Sequence, residues 1–310
     1  MRFSSLVLVS SALMFAACSP KTTSDTADKA AKATEAAAKK KPAGHGDKGH
    51  GHKGHGDKAK GAHKKQATGP LCEGFGPQTP RDIRRIAGTN PVTFDKAPSA
   101  AELNLCNIHT HTNAEHRGPG FKTLVDRTDH GGYACNGTEE LTAEELVDPA
   151  GGNGAYKGVK PGDTIEVHWV HSSCDITPGP GLGSCLSDTC ENPLLRVEAQ
   201  VFLVVNDPEN ALNFTDFDYG GISETGFHTA KAIPQTKGKP VEFLGSTTGP
   251  KYTQSVCSPV NVTWSVRPHC AKLDIGSLNR WAEQGNVFNE SKSHGVRQLV
   301  TAPELLSPIE

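Results

Sequence analysis

The stretch CNIHTHTNAEH, residues 106–116, holds three histidines and a glutamate within eleven residues. Asn107, His109 and His111 fall on alternate positions, the spacing of a β-strand, so their side chains share one face about 7 Å apart. Two imidazoles so placed can converge on one metal ion. A second stretch, DTIEVHWVHSS at 163–173, alternates in the same way. Thr164, Glu166, His168 and Val170 share one face, and Ile165, Val167, Trp169 and His171 share the other. Three imidazoles from two adjacent strands would leave a tetrahedral zinc with one open position, the arrangement of a catalytic site. Asn107 and Glu166 are placed to accept ring N–H bonds from the ligands, which fixes the tautomer and raises ligand basicity. His116 competes for the third position. Its separation from His111 is odd, so it joins the site only if the chain turns at Thr112-Asn113.

The elements that must position these residues read as a β-dominated α+β domain. Short runs rich in Val, Ile, Thr and Phe alternate with Gly/Pro/Asn loops from about Cys72 onward. The strand candidates are 104–111, 163–171, 196–205 and 259–266. Two short helices are expected, one after the capping-box form Thr142-Ala-Glu-Glu145 and one capped by Asp274 and running through Trp281. Residues 70–310 are thus expected to form one large domain around a central, mostly antiparallel twisted sheet.

The first eighteen residues stand outside that domain. Arg2, an apolar run from Leu6 to Phe15 and small residues before Cys18 describe a signal peptide. FAAC has the form of a bacterial lipobox, which predicts a lipid anchor on Cys18 and an exported, periplasm-facing lipoprotein held at the outer membrane of a Gram-negative cell. Residues 19–69 are Ala/Lys-rich and then His/Gly/Lys-rich, repeat GHGDK at 44 and 54, and hold five of the fourteen histidines. They lack the apolar side chains for a core and read as a tether that could bind metal loosely. The tether carries twelve lysines against five acids, and the domain beyond it 19 basic against 29 acidic residues. An exported protein with an acidic body is a poor partner for nucleic acid. Eight cysteines remain after Cys18: Cys72, Cys106, Cys135, Cys174, Cys185, Cys190, Cys257 and Cys270. An even number in an exported chain, with no CxxC pair, predicts up to four disulfides of open pairing.

A third stretch, FLGSTTGPKYTQSVCSPVNVTWSVRP at 243–268, sets two threonines in a Gly/Pro-framed loop before a strand. Together with GFGPQTPRDI, NLCNIHTHTNAEH, PGDTIEVHWV and HGVRQLV, it resembles the δ-class carbonic anhydrases, and more faintly the α class. The resemblance runs from about Gly74 to the C-terminus. It implies an α-carbonic-anhydrase-like fold and zinc held by His109, His111 and His168. It further implies that Glu115 pairs with a gatekeeper threonine, Thr247. Thr248 would line the site, and Val170 and Trp264 would form its apolar side. In the α pattern a residue separates the serine from the first threonine; here Thr247 follows Ser246 directly.

The implied reaction is the reversible hydration of carbon dioxide to bicarbonate and a proton through a zinc-bound hydroxide, formed because zinc lowers the pKa of its water to about 7. A histidine near the mouth would carry the proton away; His116, His130, His171 and the tail histidines all qualify. Two other readings compete. HTHTNAE also fits a cupin-type motif, in which Glu115 would be a fourth ligand and iron or manganese the metal. A zinc-scavenging lipoprotein with a catalytically silent domain is the other.

Overall fold

The computed structural model describes residues 70–125 and 131–310; the signal segment with Cys18, the His-rich tether and His130 lie outside the described residues. The architecture is β-dominated. Its strands are β1 (Asn104–Thr112), β2 (Phe121–Leu124), β3 (Tyr133–Cys135), β4 (Thr164–Ser172), β5 (Leu195–Val205), β6 (Tyr219–Ile222), β7 (His228–Ala230), β8 (Val241–Ser246), β9 (Asn261–Val266) and β10 (Ala271–Asp274). Among the described residues there is one α-helix, α1 (Ile275–Glu283), which follows β10 directly. No helix among the described residues is long and apolar enough to cross a membrane.

The central sheet has the order β1-β4-β5-β9-β8, with β10 also on β5. The sheet is mixed rather than simply antiparallel. β1–β4, β4–β5 and β8–β9 pair antiparallel, whereas β9 and β10 both run parallel to β5 and share one of its edges. β9 pairs with Arg196–Ala199 and β10 with Phe202–Val205. All eleven residues of β5 and all nine of β4 are buried, polar ones included: Arg196 and Glu198 pair with each other on β5, and Glu166 and His168 belong to the candidate site on β4.

Strand alternation divides the interior into two cores. Ile108, Ile165, Val167, Trp169, Phe202 and Val204 pack on one face with Phe214, Leu278 and Trp281. Val170, Val197, Ala199, Val201, Phe243, Val262 and Trp264 pack on the other. The register of β1 against β4 slips between Leu105 and Asn107, so Cys106 is the extra residue of a β-bulge. Its side chain turns to the second core, where it is disulfide-bonded to Cys185. Cys72–Cys257, Cys135–Cys270 and Cys174–Cys190 complete four disulfides, which use all eight cysteines of the described residues.

The two helix expectations part ways. Asp274 caps α1, its carboxylate accepting the Ser277 N–H at 2.7 Å. At Thr142–Glu145 both capping-box bonds form, at 3.0 and 3.2 Å. The segment nevertheless makes only a turn, because Pro149 and the glycines after it leave no room for a helix to propagate.

Candidate metal centre

β1 and β4 set the site by register. His109 lies opposite His168, His111 opposite Glu166, and Asn107 opposite Val170. The ring centroids of His109, His111 and His168 are 4.7–5.1 Å apart, and one nitrogen from each falls within 4.8 Å of the others. Hydrogen bonds select which nitrogen. His109 Nδ1–H donates to Asn107 Oδ1 at 2.7 Å, and His111 Nδ1–H to the Gly295 carbonyl at 3.2 Å. Both Nε2 atoms are thereby left as acceptors, and that of His111 is buried with no partner. His168 presents Nδ1, 3.3 Å from His109 Nε2, while its Nε2 faces Glu166 at 3.4 Å and Glu115 at 3.6 Å.

Electrostatics keep the three rings in the form that binds metal. Burial lowers the pKa of His109 well below its ordinary value, with the neighbouring imidazoles adding to the effect. Burial brings His111 down to about 4 and also lowers His168. All three are therefore neutral at pH 7, with converging lone pairs and no proton between them. A buried acceptor left unpaired is costly, and a divalent cation would satisfy all three at once. The donor set fits.

Glu166 lies beneath the triad. Its carboxylate accepts the backbone N–H of Glu115 at 2.8 Å and His116 Nδ1–H at 2.7 Å. Burial opposes its charge, but His116 and His168 outweigh it and hold its pKa well below the carboxylate range. The chain does turn after β1, with Asn113 at φ 64°, and the turn brings His116 onto Glu166 and beside His168, at 6.5 Å between ring centroids, but not into the group of His109, His111 and His168. His116 is fully buried, away from the mouth where a proton carrier would stand, and outside the group formed by His109, His111 and His168. His171 is buried as well, on the opposite face, with its Nδ1 bonded to the Trp169 carbonyl at 3.1 Å.

Glu115 is fully buried and lies outside the group of His109, His111 and His168; with His116 and Glu166 it forms a second cluster around the far side of His168. Burial raises its pKa, and His168 and, more weakly, the Thr248 hydroxyl draw it back. Neither carboxyl oxygen has a hydrogen-bond partner of good geometry; the threonine that approaches them is Thr248. The expected partner, Thr247, is occupied elsewhere. Its hydroxyl meets Ser258 Oγ at 2.5 Å and its N–H donates to the Val260 carbonyl at 3.0 Å. Consecutive residues of an extended segment point opposite ways, so a Thr247 turned to Ser258 leaves Thr248 turned to Glu115.

Beside the triad lies a cavity of about 50 Å³ lined by Val170, Val197, Val262, Trp264, Leu182 and the two threonines. Trp264 is held by its indole N–H on the Ser246 carbonyl at 2.9 Å. Val170 and Trp264 were expected from the sequence; Val197, Val262 and Leu182 were not, though the first two share the parity of buried strand positions. Leu182 arrives on a turn fastened by Cys185 to Cys106.

His294 also escaped the sequence reading, although it lies in the HGVRQLV stretch. Its ring centroid is 6.3 Å from those of His109 and His111, and its side chain is 55% exposed. Its Nε2 is 2.9 Å from Glu290 Oε1, and that bond raises its pKa.

A family model described as delta carbonic anhydrase matches residues 100–277, more than half of the chain. No curated protein matches. Among solved structures, an alpha-carbonic anhydrase from Photobacterium profundum matches at 18% identity over 70% of this chain and 85% of its own. Its TM-score of 0.22 is too low to carry an argument. The span of the family match includes the three histidines, Glu115, Glu166, both threonines and Trp264, and on it the chain belongs to the delta carbonic anhydrase family and is a carbonic anhydrase.

Proposed function

We propose that the chain is a zinc enzyme hydrating carbon dioxide reversibly to bicarbonate and a proton, with His109, His111 and His168 as the ligands. One observation carries this reading: a buried, unpartnered His111 Nε2 faces two more imidazole nitrogens beside a small apolar cavity. Zinc in that position supplies a water whose pKa is lowered to about 7, and hence a nucleophile at neutral pH. Thr248 donates its hydroxyl hydrogen to the Glu115 carboxylate, so its oxygen can only accept a hydrogen bond from the attacking group and aims it. Val170, Val197 and Trp264 keep an uncharged substrate in a pocket free of competing water. Asn107 holds the His109 tautomer and Glu166 the orientation of His168.

The released proton leaves through His294. Its Nε2–H is committed to Glu290, so Nδ1 takes the proton and passes it to solvent. A cavity of about 380 Å³ bounded by Pro250, Glu290, Lys292 and His294 opens there. The lipobox-like FAAC and the four disulfides support an exported enzyme tethered through Cys18, with the His-rich segment between anchor and domain.

Metal analysis and stopped-flow carbon dioxide hydration on one purified sample test the reading. One zinc per chain and fast hydration are expected, both lost in His168→Ala. Full metal and full rate in that variant, or a zinc-loaded protein without hydration, would sink it.

A further inference from the structure

Arg297 is fully buried, and none of its hydrogen-bond partners is a carboxylate. Nη1 donates to Gln78 Oε1 at 3.1 Å and to the Thr79 carbonyl at 2.7 Å, and Nη2 to the Thr253 carbonyl at 2.7 Å. The guanidinium also lies 5.6 Å from the centre of the Tyr252 ring. Burying such a charge is expensive unless it organises something. Burial lowers its pKa to about 10, and the acid whose charge draws it back up is Glu115.

What it organises is the loop that carries the two threonines. A guanidinium can only donate, so it fixes the Gln78 amide with Oε1 toward itself and Nε2 away. Gln78 Oε1 then also accepts the Ser258 N–H at 2.9 Å, while Nε2 donates to the Ser258 carbonyl at 3.0 Å. Ser258 in turn occupies the Thr247 hydroxyl. On the other leg of the loop, Thr79 exchanges bonds with Ser246 at 3.3 Å in both directions. Both legs, Ser246 and Ser258, are thus seated on Gln78–Thr79, and the crown, Tyr252 and Thr253, is seated on Arg297 itself.

We propose that Arg297 is a positioning residue for hydration: it locks the 246–258 loop so that Thr247 is spent on Ser258 and Thr248 is presented to Glu115. This rests on the reading of Thr248 given above. Arg297 touches neither the triad nor the cavity, and it lies beyond the residues matched by the family model.

Two measurements on the full domain test it. In the metal-free protein, Arg297→Met is expected to speed amide hydrogen exchange across 246–258 by about tenfold or more while β4 and β5 keep their protection. In the zinc-loaded protein, Arg297→Met is expected to lower kcat/KM for hydration about tenfold at unchanged zinc content, with Arg297→Lys in between. The double variant Arg297→Met/Thr248→Val is expected to be no slower than Thr248→Val alone, because both act through one group. Unchanged loop exchange, or losses that multiply in the double variant, would overturn the proposal. If Arg297→Met does not fold, Ser258→Ala removes the last link instead, with the same double-variant comparison. The exchange measurement needs neither metal nor activity. Faster loop exchange together with a Thr248→Val enzyme of full activity would leave the loop locked by Arg297 but overturn its role in hydration and the reading of Thr248.

Discussion

Along β4, Ile165, Val167 and Trp169 enter one side of the sheet, while Glu166, His168 and Val170 enter the other. The first side is a core in the ordinary sense. Trp169, Phe214 and Trp281 pack ring against ring, and the one polar atom of Trp169 is satisfied by the Phe217 carbonyl at 2.9 Å. The second side is as deeply buried but leaves nitrogen and oxygen atoms without partners on His111, Glu115, His116 and His168. Equal burial therefore means two different things. On one face it stabilises; on the other it stores unmet valence, which the fold can sustain because the first face holds the strand in place.

Neighbouring residues should then fail in opposite ways. Trp169→Ala should cost about 3–5 kcal/mol in a denaturant titration. His168→Ala should leave unfolding nearly unchanged in the metal-free protein yet abolish zinc binding and reduce hydration by at least about a thousandfold. Equal loss of stability in the two variants would erase the distinction between the faces. A pH titration sharpens it. His111 and His171, one on each face, both have folded pKa values depressed to about 4 from an ordinary 6.5. Above pH 6.5 folded and unfolded chains are alike neutral at these sites. As the pH falls toward 4 the unfolded chain takes up the proton first, so each ring removes up to about 3 kcal/mol from the metal-free protein. Denaturant midpoints across that range measure it, and His171→Leu should make the decline shallower.

Smaller effects separate residues within the second face. Thr248→Val should lower kcat/KM for hydration about a hundredfold, the loss typical of a transition-state hydrogen bond, and Thr247→Val should lower it less. The reverse order would restore Thr247 as the partner of Glu115. His294→Ala should reduce kcat about tenfold in dilute buffer, with recovery on adding imidazole, as expected when proton removal limits turnover.

Strand alternation is local, so parity set His109 with His111 on one face and Glu166 with His168 on another, while the choice of His168 as third member came from the family resemblance; the structure does bring the three rings together. Four of the central strands, β1, β4, β5 and β9, were read to within about two residues, the ordinary uncertainty of element ends. What the residues concealed was nonlocal. Val241–Ser246 and Ala271–Asp274 are short, and nothing in them announces which edge they join. Parallel pairing with β5 is decided by the rest of the sheet. Thr248 was read as a residue lining the site and Thr247 as the partner of Glu115, from matching the Thr-Thr pair; counting from Ser246, with no intervening residue, points instead to the second threonine, the one whose hydroxyl approaches Glu115. His294 and Arg297 carry no spacing signal toward the site; only folding brings their segment back to β1, with Glu290 on Thr110 and Gly295 on His111.

The strand order also sets a sequence in time. All three imidazoles are encoded by residue 168, on antiparallel neighbours that can pair as soon as both have left the ribosome. Thr248 follows eighty residues later, on a segment that reaches the sheet only when β9 has closed a long loop onto β5. During synthesis, the three histidines are therefore written before the threonine proposed to give their site direction. On the reading proposed above, a chain halted between β5 and β8 would carry all three candidate ligands and lack the threonine that aims what the metal supplies.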